Sequence, residues 1–121
     1  GQISDRQELV NLYKSSDIYL SPSLIETFGI TTVEALASGL PLIVTNVPGS
    51  RDLHDDSHGL LIEPRSPEAI AEACIKLLQD DDLRKKVGDA ALANVQKYDW
   101  AIIAKQYIDS YLKAIQMKAN C

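Results

Sequence analysis

Cysteine is scarce in this chain, because Cys74 and Cys121 are the only two among 121 residues. Their separation fits neither a metal-binding motif nor the disulfide framework of a small secreted domain. Long apolar runs are missing too, and no stretch approaches the roughly 20 residues that a membrane-spanning helix requires. These absences predict a reduced, cytoplasmic protein without a transmembrane helix.

Basic residues are outnumbered by acidic ones. The 12 Lys and Arg residues stand against 17 Asp and Glu residues, which gives a net charge of −5. Because the phosphate backbone of a nucleic acid attracts clustered Lys and Arg, we expect no nucleic-acid partner. Apolar residues make up 45% of the chain and charged residues 24%, which is typical of a globular domain with its own core.

Short apolar runs alternate with helical patterns in the first half of the chain. The runs at residues 18–20, 42–45 and 60–62 predict three strands, and the second is apolar on both faces. A helix is predicted from about Ile30 to Gly39, and Ser4 with Gln7 forms a plausible capping box for an earlier one. From Ser66 onward only helices are predicted, the last of them capped by Asp99.

This order of elements predicts an α/β fold with a parallel sheet of about three strands and helices on both faces. An all-helical segment follows the sheet at the C-terminal end. Three strands are few, since the average sheet has five or six. We therefore expect an unpaired edge strand and a missing part of the same domain.

The most informative stretch is residues 21–41, where two carboxylates bracket a helix start. Glu26 precedes the start, Gly29 adjoins it, and Glu34 lies about one turn beyond it. A helix start offers free N–H groups and a partial positive charge to a diphosphate, and a glycine lets the ligand approach closely. The two glutamates could accept hydrogen bonds from sugar and ribose hydroxyls. The same spacing also occurs by chance, since an early glutamate complements the helix dipole.

The sequence of this stretch resembles that of a known enzyme family, and the resemblance extends over nearly the whole chain. The strongest matches are Ser21-Pro22-Ser23, Glu26-Thr27-Phe28-Gly29-Ile30 and Glu34-Ala35-Leu36-Ala37-Ser38-Gly39-Leu40-Pro41. Weaker matches are Leu12-Tyr13, Ser16-Asp17, Gly49, Gly59-Leu60-Leu61 and Pro64. They resemble the retaining, nucleotide-sugar-dependent glycosyltransferases of family 4, which have the GT-B fold of two Rossmann-like domains.

The resemblance implies a role for each residue of a donor site. Glu26 is implied to contact the transferred sugar as the catalytic residue, and Glu34 to bind the ribose. The backbone amides around Phe28, Gly29, Ile30 and Thr31 are implied to hold the diphosphate. No cofactor and no bound metal are implied, and the donor would be a UDP-, GDP- or ADP-sugar whose configuration is retained on transfer to an acceptor hydroxyl.

Two positions depart from the family pattern. Pro48 precedes Gly49 where the family usually has two glycines, and Asp52 stands where a glutamate usually follows. Both differences leave the shape of the loop after the second strand open.

The resemblance also implies what the chain lacks. Residues 1–121 resemble the second half of the C-terminal donor domain, without the N-terminal domain that would bind a sugar, lipid or glycan acceptor. The earlier strands of the donor domain, which carry basic residues for the diphosphate, are missing as well. We expect the isolated chain to be inactive and the parent protein to be cytoplasmic, either free or peripheral to a membrane.

Two other readings belong to different functional classes. A non-catalytic half domain could self-associate or dock on a partner through an open sheet edge or its last helix. A nicotinamide-binding domain is disfavoured, because no Gly-x-Gly-x-x-Gly follows the first strand.

Several smaller signals have competing explanations. His54 and His58 could belong to a metal site, but we predict that they lie in a solvated turn. Asp80, Asp81 and Asp82 could bind a cation, but a helix cap with an acidic first turn is preferred. Arg51 could reach a phosphate. The last helix could lie on a membrane, although core packing is the prediction unless its partner domain is missing.

Overall fold

A computed structural model describes residues 2–119 as a three-stranded parallel sheet covered by helices. The strands are β1 (Tyr19–Ser21), β2 (Leu42–Thr45) and β3 (Gly59–Ile62), in the spatial order β1-β2-β3. The α-helices are α1 (Arg6–Lys14), α2 (Ile30–Ala37), α3 (Ser50–Leu53), α4 (Pro67–Leu78), α5 (Asp81–Asn94) and α6 (Trp100–Ala119), with a 3-10 turn at Val95–Tyr98. The predicted α/β class, the three parallel strands and the helical C-terminal segment are confirmed.

The central strand is the most buried part of the molecule. Leu42, Ile43 and Val44 have no exposed surface, because β2 is paired on both edges and covered on both faces. Leu42 of β2 lies opposite Tyr19 of β1 on one side and opposite Gly59 of β3 on the other. Over the described residues, β1 and β3 each pair with β2 alone and therefore form the two sheet edges.

Side chains alternate across β2 to build two cores, as a pleated strand requires. Leu42 and Val44 pack on one face with residues of α2 and α5, and Ile43 packs on the other with Ala73 and Leu77 of α4. The predicted covering of both faces is confirmed.

The helix caps confirm three predictions and correct one. Ser66 and Asp80 accept hydrogen bonds from the amides of residues 69 and 83 at 3.1 and 2.8 Å, and Asp99 accepts from the amide of residue 101 at 2.8 Å. The predicted pair Ser4 and Gln7 is wrong. Because α1 begins at Arg6, the cap falls on Asp5, whose carboxylate accepts from the Glu8 amide at 2.7 Å.

The prediction of a solvated turn at His54 and His58 is wrong for both side chains. His58 is fully buried with its Nε2 3.1 Å from the Leu53 carbonyl, and the His54 side chain is only 8% exposed. Asp55, Asp56 and Ser57 are exposed, so only the middle of the turn is in contact with solvent. Within residues 2–119 no three His, Cys, Asp or Glu side chains gather as a metal site.

The last helix is also corrected. No residue of α6 is buried, and Tyr107, Tyr111 and Ile115 are each at least 60% exposed, so core packing within the described chain is wrong. The exposed apolar face expected in the absence of a partner domain is what the structure has. No described helix is both long enough and apolar enough to span a membrane.

Candidate functional site: a helix start between two glutamates

The loops that follow the three strands meet at the carboxyl end of the sheet, because the strands are parallel and all end on that side. Hydrogen bonds tie these loops together. The Thr45 hydroxyl donates to the Ser23 carbonyl, which joins the loop after β1 to the end of β2. The Asn46 amide donates to the Ile62 carbonyl at 2.8 Å, and the Asn46 side chain donates to Glu63 at 3.4 Å. These hydrogen bonds hold together the loops next to the residues that precede α2.

Gly29 sets the geometry of the helix start. Its φ of 86° and ψ of 60° lie in the left-handed region, where only glycine fits without strain. The amides of Thr32 and Val33 both turn back to the Gly29 carbonyl, at 2.9 and 3.2 Å. The amides of Ile30 and Thr31, as the first two of a helix, have no partner within it.

The protein leaves the positive end of α2 uncompensated. Gly29 offers no side-chain cap, and the first turn of α2 contains no acidic residue. By contrast, α1, α4 and α5 each have a capping side chain and at least one acidic residue in the first turn. The start of α2 is thus the one among these four whose free amides and partial charge are open to an anion.

Glu34 is half-buried in the second turn of α2, and a tyrosine from α1 holds it. The Tyr13 hydroxyl donates to Glu34 Oε2 at 3.0 Å. Burial, followed by this hydrogen bond and the charge of Glu34, raises the pKa of Tyr13 above its ordinary range. The Tyr13 hydroxyl therefore stays protonated and remains a hydrogen-bond donor at neutral pH.

Glu26 lies before α2, and its backbone rests directly on Gly49 from the next loop. Its Oε1 accepts from the amide of Thr27 at 2.9 Å. A Cβ atom on Gly49 would lie 2.7 Å from the Glu26 carbonyl carbon and 2.9 Å from that of Thr27. Pro48 is exposed and does not disturb this contact, so the departure from two glycines keeps the one that the packing needs.

Phe28 and Ile30, whose backbone amides the family resemblance singles out, have exposed side chains, and the Phe28 ring meets Tyr98 edge-on with ring centroids 6.2 Å apart. An apolar groove of about 380 Å³ lies beside them, lined further by Val33, Tyr98, Trp100, Ile103 and Tyr107. This groove was not predicted from the sequence, because its walls come from two distant segments.

Neither Glu26 nor Glu34 forms an ion pair within residues 2–119, although Arg6 and Lys14 line the same cleft as Glu34. Arg51 is exposed on the four-residue helix α3 and belongs to none of the ion pairs of the described residues.

Sequence reasoning missed two hydroxyl groups at the helix start. The sequence singles out Tyr13 only as part of a weaker family match, and Tyr19 only as part of a predicted strand. The Tyr19 hydroxyl lies 2.8 Å from Thr31 Oγ1, and the Thr32 hydroxyl donates to it at 3.4 Å. The available signal was that a half-buried tyrosine usually finds a hydrogen-bond partner for its polar tip.

Known proteins are similar to this chain in sequence and in fold. A family model described as "Glycosyl transferases group 1" matches residues 1–93. The D-inositol 3-phosphate glycosyltransferase of Corynebacterium urealyticum is 35% identical over 106 residues, which are 87% of this chain and 25% of that protein.

Among solved structures, sucrose-phosphate synthase from Thermosynechococcus elongatus has a TM-score of 0.85 and 30% identity over 97% of this chain and 30% of its own. Anabaena HepE in complex with UDP has a TM-score of 0.80 and 22% identity over 84% of this chain and 29% of its own. The chain thus spans about a quarter to a third of the length of these proteins. It belongs to the group 1 glycosyl transferase family and has the fold of its GT-B members.

Proposed function

We propose that the carboxyl end of the sheet, around the start of α2, binds a nucleotide-diphosphate sugar. The enzyme carrying this chain would then transfer the sugar to an acceptor hydroxyl with retention of configuration. One observation carries the proposal: the start of α2 is open to an anion and lies between Glu26 and Glu34. The UDP in the complex of the Anabaena neighbour supports a nucleotide as the ligand.

Each group of the donor has a matching part of the site in this proposal. The amides at residues 28–31 hold the diphosphate and stabilise its charge as it leaves, since oriented donors at a helix start need no reorganisation during the reaction. Glu34 accepts hydrogen bonds from the ribose hydroxyls, and Glu26 from those of the sugar.

We further propose that residues 1–121 form the second half of a donor domain. The two sheet edges with one partner each, and the quarter to third of the relatives' length that the chain covers, support this placement. Another part of the enzyme would then bind the sugar, lipid or glycan acceptor and supply the missing cations. The enzyme would work in the cytoplasm or at the cytoplasmic surface of a membrane.

The two glutamates can be tested separately in the full-length enzyme. Glu34→Gln should weaken binding of UDP, GDP or ADP by roughly tenfold or more, since hydrogen bonds to charged groups are each worth about 1.5–3 kcal/mol. Glu26→Gln should leave that binding unchanged, because a free nucleoside diphosphate lacks the transferred sugar, but should lower kcat/KM with the sugar donor by a similar factor or more. Calorimetric titration and steady-state kinetics measure the two effects.

Glu68→Gln is the matched control, since Glu68 is exposed in the first turn of α4, which packs on the opposite face of the sheet from α2. It should behave as the wild type in both measurements. Near-normal turnover in the alanine variant of either Glu26 or Glu34 would contradict the proposed site.

The exposed apolar face of α6 favours a second candidate, a non-catalytic half domain that self-associates or docks on a partner. Ile108, Tyr111, Leu112 and Ile115 on this face are each more than half exposed. Sedimentation equilibrium of the chain would decide between monomer and dimer, with Tyr111→Lys as the disrupting variant. A concentration-independent monomer would remove self-association from consideration.

A further inference from the structure

Glu34 depends on a neighbouring helix for the orientation of its carboxylate. Within the described residues it has no ion-pair partner, and the Tyr13 hydroxyl is its one side-chain hydrogen-bond donor. The contact joins residues 21 positions apart, so α1 and not α2 fixes where the carboxylate points. A glutamate side chain without such a contact would have to give up its rotational freedom each time a ligand binds.

Tyr13 is itself held rigidly enough to act as an anchor. Its ring packs against the core beneath α2, 6.5 Å between centroids from the ring of Tyr19. The Tyr19 hydroxyl in turn reaches Thr31 at 2.8 Å, which braces the first turn of α2 from the side of β1. Two rings from separate elements therefore support the first two turns of α2, the second of which carries Glu34.

The Tyr13 hydroxyl has two acceptors within reach. Glu34 Oε2 lies at 3.0 Å and the Thr31 carbonyl at 3.5 Å. A phenol has one proton to donate, and the shorter contact to a carboxylate is the stronger one. The proton therefore goes to Glu34.

The contact leaves Glu34 able to bind a ligand. Tyr13 occupies one position on Oε2, whereas a carboxylate offers about four acceptor positions on its two oxygens. Glu34 also lines an open cleft of about 250 Å³ between α1 and α2, so it is within reach of a bound molecule.

We propose that Tyr13 is a positioning residue for donor binding: its hydroxyl orients the Glu34 carboxylate toward the ribose hydroxyls of the nucleotide. This inference rests on the proposed function of Glu34. It adds a residue on α1 that touches no donor atom and acts only through Glu34.

The test compares four variants of the full-length enzyme, namely Tyr13→Phe, Glu34→Gln, the double variant and Tyr111→Phe. Binding of UDP, GDP and ADP is measured by calorimetry, and kcat and the donor KM by steady-state kinetics. Tyr13→Phe should raise the nucleotide Kd and the donor KM roughly tenfold, the loss of one hydrogen bond to a charged group, and leave kcat within about twofold. Tyr111→Phe is the control, because the Tyr111 side chain is exposed on α6 and shares no described hydrogen bond with the site.

The double variant separates positioning from a general structural role. If Tyr13 acts through Glu34, the double variant should bind nucleotide no more weakly than Glu34→Gln alone. Multiplied losses would overturn the proposal, and so would unchanged or tighter nucleotide binding by Tyr13→Phe.

A measurement without any nucleotide distinguishes the two ways of failing. In protein labelled at the tyrosine Cζ carbon, Glu34→Gln should shift the Tyr13 resonance and leave that of Tyr111 in place. A shift together with normal nucleotide binding by Glu34→Gln would overturn the proposed function of Glu34. A shift together with weak binding by Glu34→Gln and normal binding by Tyr13→Phe would overturn only the role of Tyr13.

Discussion

At the scale of single residues, the position of Glu26 depends on a glycine from another loop. Gly49 approaches the Glu26 backbone so closely that a Cβ atom would lie 2.7 Å from its carbonyl carbon. No flexible side chain can give way there, because the neighbouring atoms belong to the main chain. The packing around Gly49 therefore places the catalytic candidate.

Gly49→Ala tests this dependence. We expect a loss of about 2–3 kcal/mol in the free energy of unfolding, since an overpacked core position and a strained backbone each cost about 1–3 kcal/mol. Urea unfolding of the chain measures it. Unchanged stability would show that the loop can move away from Glu26 at no cost.

His58 gives the chain a response to mild acid. Burial lowers the pKa of His58, and this outweighs the opposing effects of its bond to the Leu53 carbonyl and of the charge of Asp55. The unfolded chain therefore binds a proton at higher pH than the folded one. The contribution of neutral His58 to stability is complete above the ordinary pKa near 6.5 and is lost as the pH falls below it.

We expect the free energy of unfolding to fall between pH 7 and pH 5, by at most about 1.4 kcal/mol per pH unit for this one proton. Urea unfolding at a series of pH values measures the slope. His58→Gln should flatten it. An equal slope in wild type and His58→Gln would assign the acid response to other groups.

At the scale of elements, the local sequence decides where most helices begin. Asp80 ends the connection after α4 and caps α5, while Asp82 lies in the first turn and makes no cap. The cap is a contact between residues three apart, so the local pattern was enough to predict it. The error of one residue at α1 has the same origin, because Ser4 and Asp5 are both good caps and only the path of the chain selects one.

Asp80→Ala and Asp82→Ala form a matched pair for this point. Removing the Asp80 cap should cost about 1 kcal/mol of stability, whereas Asp82 should cost only a few tenths through the helix dipole. Thermal and urea unfolding compare them, with nucleotide binding by the full-length enzyme as a readout that neither should change. Equal effects of the two substitutions would contradict the capping role.

At the scale of the whole molecule, one wall of the proposed donor site is present. The helix amides, Glu26 and Glu34 are on this chain, whereas neither glutamate forms an ion pair in the described part, and the proposed function assigns the cations for the diphosphate to another part of the enzyme. A diphosphate carries several negative charges and pays a large desolvation cost unless cations compensate it.

The isolated chain should therefore bind UDP, GDP and ADP weakly or undetectably, with Kd values in the millimolar range or above, about 4 kcal/mol or less of binding free energy. Calorimetric titration of the chain measures this, and the full-length enzyme serves as the comparison. Micromolar binding by the isolated chain would show that the second wall is unnecessary for the nucleotide.

The sequence by itself determined the elements and the motif. The apolar run of β2, the caps at Ser66 and Asp80 and the stretch from Glu26 to Glu34 are local patterns, and they were sufficient for the fold class and the family resemblance. Tertiary structure alone decided the contacts between distant segments: Tyr13 with Glu34, Gly49 beneath Glu26, and the burial of His58. The physical reason is that propensity and periodicity report on neighbours within a turn or a strand, whereas these contacts depend on how separate elements pack against one another.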